Sequence, residues 1–75
     1  MLVIQNLNEF VGKNDIQSVN DNEYYYEFIQ SNNRILIHKK AMDDLCVVES
    51  ESGAIMVKIS ELLSVDSILN VFNKL

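Results

Sequence analysis

The sequence predicts an α+β fold: a four-stranded antiparallel sheet of two hairpins, with an N-terminal and a C-terminal helix packed on one face. Two pairs of segments rich in aromatic and β-branched residues, 23–30 with 34–40 and 45–51 with 54–59, each flank a short turn signal. Apolar residues recur at helical spacing near both ends of the chain. Leu, Ile, Val and Phe make up 27 of the 75 residues, enough for one small core. That share is well above the roughly one-fifth below which chains stay disordered.

Within residues 2–11, Val3, Leu7, Phe10 and Val11 fall at the i, i+4, i+7, i+8 spacing of one helix face, while Asn6, Asn8 and Glu9 point away. Residues 2–4 read equally as the opening of a strand, because no capping residue precedes them. Gly12 suits the left-handed position that ends a helix. Residues 15–19 fit either a strand or a loop. Asn20, Asp21 and Asn22 tolerate left-handed backbone and predict a turn.

The first hairpin is expected to turn at Asn32-Asn33, a pair that accepts the positive φ angles of a type I′ turn. Counting outward sets Phe28 opposite Ile37 and Tyr26 opposite Lys39, with Tyr24, Tyr26, Phe28, Ile35 and Ile37 on one face. The other face then holds Tyr25, Glu27, Ile29, Leu36, His38 and Lys40, with Glu27 opposite His38. A second hairpin is expected to turn at Ser52-Gly53, pairing Val48 with Val57, Ser50 with Ile55 and Cys46 with Ile59. Its other face carries Leu45, Val47, Glu49, Glu51, Ala54, Met56 and Lys58. In the C-terminal helix, Ser64 is a favoured N-cap and Asp66 sits in the first turn, where the helix dipole favours an acid. Val65, Ile68, Leu69 and Phe72 form its apolar stripe, and Leu63 with Ile68 is placed as a hydrophobic staple.

Composition narrows the chemistry. Eleven acids against six bases leave a net charge of −5, a surface that repels phosphate backbones and anionic lipid, so neither nucleic acid nor membrane is the expected partner. A single cysteine, Cys46, forms no internal disulfide, which points to the reducing cytoplasm. No apolar run is long enough for a transmembrane span and no basic leader precedes one, so a soluble single domain over residues 1–75 is expected.

His38 and Cys46 are each the only residue of their kind, so no His/Cys cluster offers a metal site, and no cofactor is expected. No glycine-rich phosphate loop or dinucleotide fingerprint occurs. Nucleophilic catalysis needs a base beside the nucleophile, and paired carboxylates need a cleft that separates their pKa values. A core this small leaves little room for one, and the chain reads as non-enzymatic. Arg34, His38, Lys39 and Lys40 form one basic patch between acidic flanks.

What remains is recognition of another protein. Acidic rows at Asp21 and Glu23, Asp43 and Asp44, and Glu49 and Glu51 are the expected contacts to a larger basic partner. Size and acidity match those of small phage or mobile-element inhibitors of defence nucleases, an analogy of composition with no family motif behind it. The competing expectation is a self-associating structural or chaperone-like subunit, a homodimer formed through an open sheet edge or through the Leu45, Val47 and Met56 face.

Overall fold

Five antiparallel strands make one sheet in chain order: β1 (Ser18–Asp21), β2 (Tyr25–Gln30), β3 (Asn33–His38), β4 (Leu45–Ser50) and β5 (Gly53–Lys58). Helix α1 (Leu7–Lys13) precedes them, and a 3-10 turn (Ile59–Leu62) and helix α2 (Val65–Asn73) follow. The computed structural model describes residues 1–13, 16–31 and 33–75. An α+β chain with an antiparallel sheet and two helices is as the sequence predicts, but there are five strands rather than four and both helices are short.

The additional strand is β1. Asn20 and Asp21, expected in a turn, instead pair with Glu27 and Tyr26, and Val19 pairs with Phe28. The turn falls two residues later, over 22–24, and keeps only Asn22 of the expected three; Asn22 Oδ1 accepts hydrogen bonds from the backbone N–H groups of Tyr24 (2.8 Å) and Tyr25 (3.1 Å). An Asn side chain that substitutes for a backbone acceptor in this way is itself the turn signal. Val19 is the one apolar residue of β1, so no alternation marked the strand.

Both expected hairpin registers are displaced by two residues. Gln30 pairs with Asn33, Phe28 with Ile35 and Tyr26 with Ile37; Asn33 therefore belongs to β3, and Asn32 lies outside the described residues. In the second hairpin Ser50 pairs with Gly53, Val48 with Ile55 and Cys46 with Val57, so Glu51 and Ser52 form the turn. A shift of two keeps every side chain on its face, whereas a shift of one would have exchanged the faces. Tyr26, Phe28, Ile35, Ile37, Cys46, Val48 and Val57 are accordingly all buried on one side. Tyr24 is not: it precedes β2 in the turn and is 70% exposed.

Residues 2–4 lie against this core. Leu2 and Ile4 are buried while Val3 is 63% exposed, and the Leu2 N–H donates to the Lys39 carbonyl at 2.8 Å. Of the expected first stripe, Leu7, Phe10 and Val11 pack inward and Val3 does not. Asn6, at φ 58°, turns the chain into α1, and its carbonyl accepts from the Phe10 N–H. Gly12 lies within α1 rather than beyond its end.

Helix α2 begins as expected, the Ser64 hydroxyl accepting from the Ser67 N–H at 3.2 Å. Ile68 and Val71 are its buried residues, with Val65, Leu69 and Phe72 partly buried. Ahead of the cap, the 3-10 turn buries Leu62 and leaves Leu63 53% exposed. Phe10, Phe28 and Phe72 meet edge to face with ring centroids 5.3, 5.3 and 5.5 Å apart, which sets both helices over the same face of β2. Truncating a buried phenylalanine to alanine costs about 3–5 kcal/mol, a large share of the stability of a chain this small.

Candidate functional site

The helices leave the opposite sheet face open. On it Tyr25 pairs with His38 across β2 and β3, Val47 pairs with Met56 across β4 and β5, and His38, Val47 and Met56 line one shallow hollow. Met56 is 58% exposed, and Leu36, Leu45 and Val47 are half-buried around it. Glu49 stands beside Leu36 on this face, and its Oε1 lies 2.7 Å from His38 Nε2. The expected partner of His38 was Glu27. With the register moved by two, Tyr25 faces His38 instead, and Glu27 forms an ion pair with Arg34 on the same side of the sheet.

The β3–β4 connection explains where Asp43 and Asp44 stand. Met42 and Leu45 exchange backbone hydrogen bonds at 2.9 Å, and the two aspartates between them have φ 52° and 63°. Positive φ at both central residues is the requirement of a type I′ turn, and Asp meets it more readily than most side chains. Between this turn and the Ile37↔Val48 pair, the β3 side has two more residues than the β4 side. The surplus bulges, and there the Lys39 N–H donates to the Tyr24 carbonyl.

Lys39 consequently turns away from the open face. Its Nζ sits over the Tyr26 ring, 4.4 Å from the centroid, and pairs with Asp21. The basic patch expected from Arg34, His38, Lys39 and Lys40 is thus dispersed. Three of its members face a carboxylate, and Lys40 is exposed with no ion pair among the described residues.

The acidic rows divide in two. Asp21 and Glu23 at the β1–β2 turn, and Asp43 and Asp44 at the β3–β4 turn, lie at one end of the sheet. Glu51 occupies the β4–β5 turn at the other end, and Glu49 stands nearby on the open face. Glu49, Glu51 and Arg34 line a shallow hollow there. Glu23, Asp43, Asp44 and Glu51 are exposed, and none forms an ion pair among the described residues.

The His38 to Glu49 contact escaped sequence reasoning because it depends on the β3–β4 register, which the bulge sets and no local residue pattern announces. Cys46 lies in the core, and burial pushes its thiol pKa up; the charged N-terminus offsets part of that rise. Among the described residues no group of three or more His, Cys, Asp or Glu side chains is placed to hold a metal ion. Nor is any described helix long and apolar enough to cross a membrane. No family model, curated protein or solved structure matches this chain.

Proposed function

We propose that this chain is a small non-enzymatic protein-binding module that docks through acidic turns onto a basic surface of a larger protein. The distribution of charge carries this reading: Glu23, Asp43, Asp44 and Glu51 project from turns with no internal ion pair among the described residues, while Arg34, His38 and Lys39 are already engaged by carboxylates. Among the described residues, four unpaired turn acids outnumber the two exposed unpaired lysines, Lys40 and Lys58, and such an excess of one sign accelerates encounter with an opposite surface and helps to orient it. The engaged cations also weigh against direct contact with nucleic acid, whose affinity rests on basic groups reaching phosphates. A basic surface that ordinarily holds nucleic acid is the natural complement. An inhibitor of a nucleic-acid-handling protein, of the kind phages and mobile elements carry, fits that role.

The test is a pull-down with the tagged chain from lysate of its native host at low and high salt, repeated with the pairs Asp43→Lys with Asp44→Lys and Glu49→Lys with Glu51→Lys. Retention of one stoichiometric, salt-sensitive, nucleic-acid-handling protein is expected, and the pair at the docking end should abolish it. Equal retention by both variants would overturn charge-matched docking. The competing reading, a self-associating subunit, is favoured by a separate observation at the edge of β5.

A further inference from the structure

We propose that two copies of this chain pair antiparallel through their β5 edges, joining their sheets into one continuous sheet twice as wide. The inference goes beyond docking on a basic partner and, Glu49 apart, uses different residues.

The backbone phase of β5 comes first. Its two-residue turn closes on the Ser50↔Gly53 pair, and past the far end of the strand the Ile59 N–H donates to the Asp44 carbonyl at 2.9 Å. Antiparallel ladders alternate hydrogen-bonded and non-hydrogen-bonded pairs. The Val48↔Ile55 and Cys46↔Val57 pairs are therefore the bonded ones, and Ala54, Met56 and Lys58 direct their N–H and C=O groups outward. All three residues are exposed, and Ala54 and Met56 have no backbone hydrogen bond to a described residue outside the sheet; Lys58 is the N-cap of the 3-10 turn, which takes its carbonyl and leaves its N–H for the edge. The other sheet edge, β1, is only four residues long and ends in the carboxylate of Asp21. Short, charged edges resist pairing, whereas the six residues of β5 include one charge, at its end.

Register follows from overlap and charge. The arrangement in which all three outward residues face outward residues sets Met56 opposite the partner's Met56 and Lys58 opposite the partner's Ala54. Ala54 is paired with Glu49 within its own chain, so on the open face Lys58 looks across a single methyl group toward the partner's Glu49. Two strand spacings of about 4.8 Å separate their Cα atoms by roughly 10 Å, a span that extended Lys and Glu side chains close between them. Lys58 has no ion pair among the described residues of its own chain. The two-fold axis repeats the contact, giving two bridges. A slip that set Lys58 against the partner's Lys58 would oppose like charges, so the same two residues fix the register.

Sedimentation equilibrium of the full chain from micromolar to millimolar concentration tests the proposal. Conversion of the 8.6 kDa monomer to a dimer is expected. Lys58→Glu should raise the dissociation constant by at least about tenfold, since two bridges become two repulsions. The double exchange Lys58→Glu with Glu49→Lys should restore association. Met56→Pro, which removes an outward N–H at an edge position that tolerates proline, should abolish it while far-ultraviolet circular dichroism remains that of the folded chain. Asp43→Lys with Asp44→Lys should leave self-association intact, which separates this proposal from the docking reading. A chain that stays monomeric throughout overturns the second copy as occupant of the edge. A dimer indifferent to Lys58→Glu and Met56→Pro, or one not restored by the exchange, overturns the β5 pairing.

Discussion

The Tyr26 hydroxyl accepts a hydrogen bond from the backbone N–H of Ile4 at 3.1 Å, 22 positions away in the chain. Ile4 lies in the core, so this N–H has no water to turn to when the hydroxyl is removed. Tyr26→Phe keeps the ring beneath Lys39 and deletes only the acceptor. The expected loss is about 1–3 kcal/mol, the penalty of an unsatisfied buried donor, seen as a lower urea midpoint at unchanged slope. Unchanged stability would mean that residues 2–4 contribute nothing to the fold through this bond.

The two glycines should respond to the same substitution with opposite sign. Gly12 lies inside α1 with nothing within 4 Å of where a Cβ would stand, so Gly12→Ala should stabilise by about 0.5–1 kcal/mol through helix propensity and lost unfolded-state freedom. Gly53 is equally uncrowded but holds φ +147°, a backbone region that side chains rarely adopt. Gly53→Ala should therefore destabilise by more than about 1 kcal/mol. Thermal unfolding of the pair reads both signs, at roughly 4–8 °C per kcal/mol for a chain of this size. A stabilising Gly53→Ala would remove the strained turn from the account.

The sheet faces were legible in the sequence, and the turns were not. Tyr26, Phe28, Ile35 and Ile37 share a face under any even displacement of register, so their alternation survived a two-residue error in the turn. Turn positions were misread at three places, and for the turn before β2 the reason lies in the abundance of Asn and Asp. Asn and Asp accept positive φ, and the chain has more such residues than turns that use them: Asn6, Asp43 and Asp44 take it, while Asn20 and Asp21 lie in β1. Which of them turn is decided by pairing across the sheet, not by the residues themselves.

Of the candidate site, the acids were legible as exposed and their grouping was not. Asp43 with Asp44 and Glu51 stand at opposite ends because successive turns of an antiparallel meander alternate ends, and Glu49 meets His38 because the bulge after β3 fixes which residues of β3 and β4 are neighbours. The helix start at Ser64 was readable because capping involves only residues three apart. Ser64→Ala should cost about 0.5–2 kcal/mol and Ser64→Gly only a few tenths, compared by urea unfolding. Equal losses would show that the hydroxyl bond to Ser67 is not what starts α2.

Cys46 provides a test in which pH is the variable. Burial raises its thiol pKa in the folded state, so above the ordinary cysteine value, roughly pH 8.5, the folded chain keeps a proton that the unfolded chain has released. Stability from this group is fully present below the unfolded pKa and falls as pH rises through the folded one. Urea midpoints measured from neutral to alkaline pH should decline more steeply for the natural chain than for Cys46→Ala, whose lower starting stability reflects the cavity left in the core. The comparison removes the background from tyrosine and lysine titration, which both chains share. Parallel curves would show that the thiol ionises as easily in the fold as out of it, and that this part of the core admits water.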